Sequence, residues 1–278
     1  SEIGKICPLS RIFERKAMSC FTCMIIILVI LLSSYTFAHG AEKEQLKVLV
    51  EKALSEYDAT DSFAAIEYLS SQDDPLLAIQ AFRSAMRDSY WKKKDIVATL
   101  VFGRAGFHYG VTTAGIVGQD EPEMAKQLRS FAKGFMYDIA SFTWPGWDEK
   151  EVELTEIQIA EGLQSAKANL RLAIEMNKEP IAMSRAYWVL GAQELAQEQH
   201  AKARRAFAEA AGFAALAGST GDELLSKAFE CLAEFLSSNG SQEVMGRLET
   251  LVDQLRKQKD GEFFASQVDA AMRVFGHN

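Results

Sequence analysis

Apolar residues recur at intervals of three and four along nearly the whole chain after residue 42. Leu76, Ile79, Ala81, Phe82, Ala85 and Met86 make one such stripe, and Ala203, Phe207, Ala210, Ala211 and Ala214 make another. That spacing returns to the same side of a helix at each turn. Alternation of apolar and polar residues between hairpin turns is absent, so the pattern predicts no β-strands. It predicts helices over 43–57, 62–71, 75–92, 94–117, 122–141, 150–177, 181–197, 200–217, 221–238, 241–258 and 261–275. Pro75, Pro122, Pro145 and Pro180 fall where the helical pattern restarts. Asp73-Asp74-Pro75 and Asp120-Glu121-Pro122 each set an acidic cap before a first-turn proline, whose missing N–H costs nothing there. Connections this short make consecutive helices antiparallel neighbours. The expected fold class is all-α.

The first 41 residues read differently. Arg11, Arg15 and Lys16 form a positive flank, and no formally charged residue follows from Ala17 to Ala41. The most apolar part, Phe21 to Leu32, is 12 residues long, which suits a signal h-region better than a spanning helix of roughly 20 residues. Thr36 and Ala38 then stand at signal-peptidase spacing, with Ala41 as a later cut. The reading is a signal peptide over 1–41, with an uncleaved N-terminal anchor as the alternative, followed by a helical domain over 42–278. It places the domain outside the cytoplasm, exported to the periplasm or an equivalent extracytoplasmic space.

Composition narrows the function. The chain has 278 residues, 48% of them hydrophobic, and a formal net charge of −8. The first 41 residues hold 4 of its 30 basic and 2 of its 38 acidic side chains, leaving 26 against 36 beyond them. A body this acidic argues against nucleic acid as a partner, since phosphate neutralisation needs the opposite charge. Cys7, Cys20 and Cys23 lie in or before the apolar run, so Cys231 stands alone after cleavage and reads as core. There is no His-Glu-x-x-His, no Cys-x-x-Cys, no P-loop, no Gly-x-Ser-x-Gly and no Gly-x-Gly-x-x-Gly, so neither metal nor cofactor is expected. Glu149-Lys150-Glu151-Val152-Glu153 reads as a solvated first helical turn.

Tyr187, Leu190, Gly191, Ala203, Phe207 and Ala210 have the size and spacing of a 34-residue helix-turn-helix unit. On those positions the stretch 184–217 resembles a tetratricopeptide repeat, departing from it at Ala215, where the family carries proline. The stretch 79–112 repeats part of the pattern with Phe82, Ala98, Phe102 and Ala105, and has Ala85 and Met86 in place of Leu-Gly. The resemblance implies a stacked α-solenoid of helix hairpins whose first helices line a concave, partner-binding face. Carried over position by position, it points to Arg83, Arg87, Tyr90, Trp91, Arg185 and Trp188 as partner-binding residues. Arginine and aromatic side chains on one face suit an acidic protein or peptide segment. Trp144 and Trp147 flank a Pro-Gly turn and are read either as an exposed aromatic lip or as rings folded back over the core.

The first functional reading is therefore an exported, non-catalytic binding scaffold. A second rests on Arg104-Ala105-Gly106 with Tyr109-Gly110, which is similar to the helical T-component of periplasmic TRAP transporters and implies an accessory subunit for solute uptake. A third is a helical enzyme using an isolated carboxylate in a groove.

Overall fold

In the computed structural model, residues 43–276 are described apart from Asn239. The segment read as a signal peptide or anchor lies outside the described residues. The chain divides into two compact units, 1–49 and 50–278. The described residues of the first unit, 43–49, are helical.

The described residues are all-α and contain no strand. Helix α1 covers 43–59. It is followed by α2 (Ser62–Ser70), α3 (Pro75–Trp91), α4 (Ile96–Val117), α5 (Pro122–Phe142) and α6 (Glu156–Glu175). Then come α7 (Pro180–Ala196), α8 (His200–Leu216), α9 (Thr220–Ser237), α10 (Gln242–Arg256) and α11 (Gly261–Phe275). A 3-10 turn, Pro145–Trp147, stands between α5 and α6. No helix among the described residues is long and apolar enough to cross a membrane.

The helix starts follow from local chemistry. Asp61, Asp74 and Asp95 each accept a hydrogen bond from a first-turn backbone N–H, and Pro75, Pro122 and Pro180 open their helices. One boundary departs clearly from the expected one. The helix expected over 150–177 begins only at Glu156, because Thr155 and Gln158 form a reciprocal capping box there. Asp148 turns left-handed at φ 57°, and 149–155 cross to that cap outside any helix. Glu149–Glu153 are therefore not a helical turn, and Glu149 instead accepts a hydrogen bond from Lys94 Nζ at 3.2 Å.

Several helices stop in the same way. Asn177, Glu198 and Gly218 all take positive φ just past α6, α7 and α8. The backbone N–H of the following residue returns to the helix, Lys178 to Ala173, Gln199 to Glu194 and Ser219 to Ala214. This Schellman closure satisfies end carbonyls and reverses the chain within a few residues.

Within residues 50–278 each helix packs on the next from α2 to α11, α5 on α6 included, although the 3-10 turn stands between them in the chain. The second tier of contacts is selective. Odd helices touch one another, α3 with α5, α5 with α7, α7 with α9 and α9 with α11. Among even helices only α2 and α4 do so to a comparable degree. Close approach between consecutive helices depends on small residues. A Cβ on Gly191 would meet the Phe207 ring at 2.8 Å, and fully buried Ala203 stands one turn before that ring on α8. On α4 a Cβ at Gly106 would overlap the Phe135 ring of α5. Apolar burial at such contacts drives the assembly, at roughly 25 cal/mol per Å² removed from water.

Candidate functional site

The loop after α5 closes an aromatic cluster. Trp144 lies edge-on to Trp147, Trp188 and Phe229, with ring centroids 4.8, 5.7 and 5.8 Å away. Pro145 starts a turn that brings Gly146 directly beneath the Trp144 indole, where no Cβ would fit. Trp147 donates from Nε1 to the Ser141 carbonyl at 2.7 Å. Asp148 accepts from Lys150 and from Arg273 of α11, which holds its carboxyl below the usual range, the Lys150 bond contributing most. Of the two tryptophans proposed as an exposed lip, Trp144 is 2% exposed and belongs to the core. Trp147 is half-buried and does reach a cleft.

That cleft consists of two adjoining cavities of about 380 and 340 Å³. Both are lined by Ser141, Trp147, Phe263 and Gln267. One continues to Tyr137, Arg185, Trp188 and Asp222, on α5, α7 and α9. The other continues to Tyr90, Trp91, Phe142 and Glu149. One wall is thus the odd helices α3 to α9 with the Trp147 turn, and the other is α11. Phe263 of α11 is 65% exposed between the two cavities, an unusual position for so large an apolar ring.

Four of the six expected partner-binding residues, Tyr90, Trp91, Arg185 and Trp188, therefore line one connected cleft. They do not all present free surface. Tyr90 is buried and stacks on Phe142 at 4.1 Å, and its burial pushes the hydroxyl up to about 12. Burial likewise pushes Tyr137 up to about 12, with Asp138 and Asp222 adding to the effect against Arg185. Trp188 is 6% exposed, and its buried indole N–H has no partner among the described residues. Trp91 is 57% exposed and stands T-shaped to Tyr90.

The remaining two expected residues do not line the cleft. Arg83 and Arg87 both reach Asp138 of α5, their Nε atoms at 2.9 and 3.2 Å from Oδ2. Arg185 stands 3.5 Å from Asp222 of α9. Each arginine expected to hold an acidic partner thus already faces an aspartate on the next odd helix. The cleft itself is close to charge-balanced and largely aromatic.

Two parts of this arrangement carry no sequence signal of their own. The aspartate partners stand 37 to 55 residues from their arginines, and the Phe263–Gln267 wall arrives from a helix far along the chain. The pair Phe263-Phe264 at the start of an amphipathic helix was the one available cue, since only one of two adjacent residues can face a core fully.

Other chemistry is sparse among the described residues. No group of three His, Cys, Asp or Glu side chains is placed to hold a metal ion. Cys231 is buried, with its thiol pushed up by that burial, and its Sγ lies 3.4 Å from the Val244 carbonyl. His108 is exposed on α4. Arg104, on the segment similar to the T-component, is engaged by both carboxylate oxygens of Glu161 on α6.

Compared with family models, characterised proteins and solved structures, the chain matches none of them.

Proposed function

We propose that this protein is an exported, non-catalytic helical-repeat scaffold whose hairpins stack as an α-solenoid and whose cleft takes an extended segment of a partner protein. The observation that carries this reading is the joining of the two cavities through Ser141, Trp147, Phe263 and Gln267. The result is an elongated, aromatic-lined trough rather than a single closed pocket. Selective contact between odd helices supports the solenoid, because first helices of successive hairpins form one layer in such stacks. Exposed Trp91 and Phe263 supply the large rings that dominate binding energies when covered.

Charge modifies the expected preference. Arg83, Arg87 and Arg185 are already matched by Asp138 and Asp222, so an acidic segment gains less from them than bare arginines would give. The cleft favours a segment bearing apolar or aromatic side chains.

Site-specific photo-crosslinking in the source cell tests this. A photoreactive side chain at Trp91 or at Phe263 should capture the same partner, whereas one at Ile116, exposed on α4, should not. Capture of that partner from Ile116 as well, or of different proteins from Trp91 and Phe263, would remove the case for the cleft.

A further inference from the structure

A second groove runs between α7 and α8, away from the cleft. Tyr187, Leu190 and Glu194 stand three and four residues apart on one side of α7, and Lys202, Arg205 and Ala206 meet them from α8. The groove has a volume of about 350 Å³, within the range of small-ligand sites, roughly 300–1,000 Å³. Tyr187 is fixed by stacking on Phe213, with ring centroids 5.5 Å apart and planes at 13°. With Leu190 and Ala206 it makes an apolar floor.

Glu194 is the unusual member. It is only 8% exposed, and its carboxylate has no ion pair and no hydrogen bond among the described residues. Burial raises its proton affinity, against the opposing effect of Lys202, Lys167 and Arg205. A carboxylate so enclosed is costly unless a partner meets it. The two cations of the groove are turned to other acceptors. Lys202 Nζ donates to Gln199 Oε1 at 2.8 Å, and Arg205 Nε donates to the Ala201 carbonyl at 3.3 Å. Each keeps further N–H donors beyond that one bond. Glu209, the other acidic member of the groove, is exposed and lies two turns beyond Lys202 on α8.

We propose that this groove binds a free α-amino acid with an apolar side chain. The ligand's ammonium meets Glu194, its carboxylate meets Lys202 and Arg205, and its side chain lies on Tyr187, Leu190 and Ala206. A buried negative group beside exposed positive ones matches a zwitterion, which forms charge-assisted hydrogen bonds to both. A plain amine would be opposed by the two cations, and a plain carboxylic acid by Glu194. The groove and the cleft share no lining residue, so amino-acid binding stands or falls apart from partner capture.

Calorimetry of the full chain with L-leucine tests the proposal, and saturable binding is expected. N-acetyl-L-leucine lacks the ammonium and L-leucinamide lacks the carboxylate, so each should bind at least tenfold more weakly. Glycine, without the side chain, should also bind more weakly than L-leucine. Glu194→Gln keeps the size of the side chain, removes its charge and should weaken L-leucine binding at least tenfold. The double variant Lys202→Met, Arg205→Met should cause a similar loss. It alters only exposed side chains, so it remains informative if Glu194→Gln changes the circular-dichroism spectrum. Absence of saturable L-leucine binding, equal affinity in wild type and variants, or an analogue that binds as well as L-leucine would overturn the site.

Discussion

Trp144 meets Trp188 edge to face, with ring centroids 5.7 Å apart and planes at 75°. The contact joins the loop after α5 to the middle of α7, so the turn is part of the core rather than a free connection. Trp144→Ala should cost about 3–5 kcal/mol, the usual range for deleting a large buried ring. Trp91→Ala, at the exposed end of the cleft, should stay within about 0.5 kcal/mol. Urea melts of the two variants beside wild type measure both. A similar loss in the two would mean that the core and cleft tryptophans are wrongly assigned.

Asp138 is the acceptor that keeps two arginines together, with its side chain 6% exposed. Asp138→Ala leaves both guanidiniums without that carboxylate and should destabilise by about 1–3 kcal/mol, less than for a fully buried pair because both arginines reach solvent. Added salt should narrow the difference from wild type by screening the remaining repulsion. Chemical denaturation at low and high ionic strength checks the size and the trend.

Ala203 is fully buried at the close contact of α7 and α8. Ala203→Leu should cost about 1–3 kcal/mol through overpacking against a helix that cannot withdraw. An unchanged denaturation midpoint would show that α7 and α8 separate more readily than their packing indicates.

Glu198 holds a left-handed backbone, φ 57°, at the end of α7 and is exposed. The homologous turn after α8 uses Gly218 at φ 67°. Glu198→Gly should therefore stabilise by about 0.5–1 kcal/mol, the relief of left-handed strain exceeding the entropy glycine adds to the unfolded chain. A thermal melt decides the sign.

Stability should depend on alkaline pH in two opposed ways. Lys133 has its folded pKa lowered to about 8 from 10.5, so between these values the unfolded chain holds more protons and stability rises with pH. Lys133→Met should flatten that rise and stabilise the protein near neutrality by about 1 kcal/mol, well below the full conversion of the shift because water screens a half-buried amine. Tyr90 and Tyr137 have folded values raised to about 12 from 10.0, so the folded chain holds more protons there and stability falls from pH 10 upward. Denaturation midpoints from pH 7 to 11, with an ultraviolet titration of tyrosinate, resolve the two windows.

The helices were readable because each stripe of apolar residues is repeated over several turns and ends at a recognisable cap. Residues 62–70, 75–91 and 261–275 fall within a residue of expectation for that reason. The start of α6 was not readable in the same way. Its acidic approach, Glu149 to Glu153, has helical composition, but the left-handed Asp148 and the Thr155–Gln158 box decide the boundary. In the cleft, the positions carried over from the tetratricopeptide resemblance picked out Tyr90, Trp91, Arg185 and Trp188, which do line one cleft, together with Arg83 and Arg87, which do not. Such a carry-over gives no information about what faces a side chain across space, so neither the Asp138 pairing of Arg83 and Arg87 nor the α11 wall could be foreseen. The same gap turned Trp144 from an expected surface ring, on one reading, into a buried one.

The two walls of the cleft are made at different times. One is complete once residue 226 has left the ribosome, whereas Phe263 to Ala270 emerge some forty residues later. Until then the aromatic floor around Trp147 and Trp188 is uncovered and lacks the geometry of the finished trough. On the proposed reading, recognition through this cleft is confined to chains synthesised past α11, and a truncated product ending within α9 or α10 would present the same aromatic residues with one wall missing.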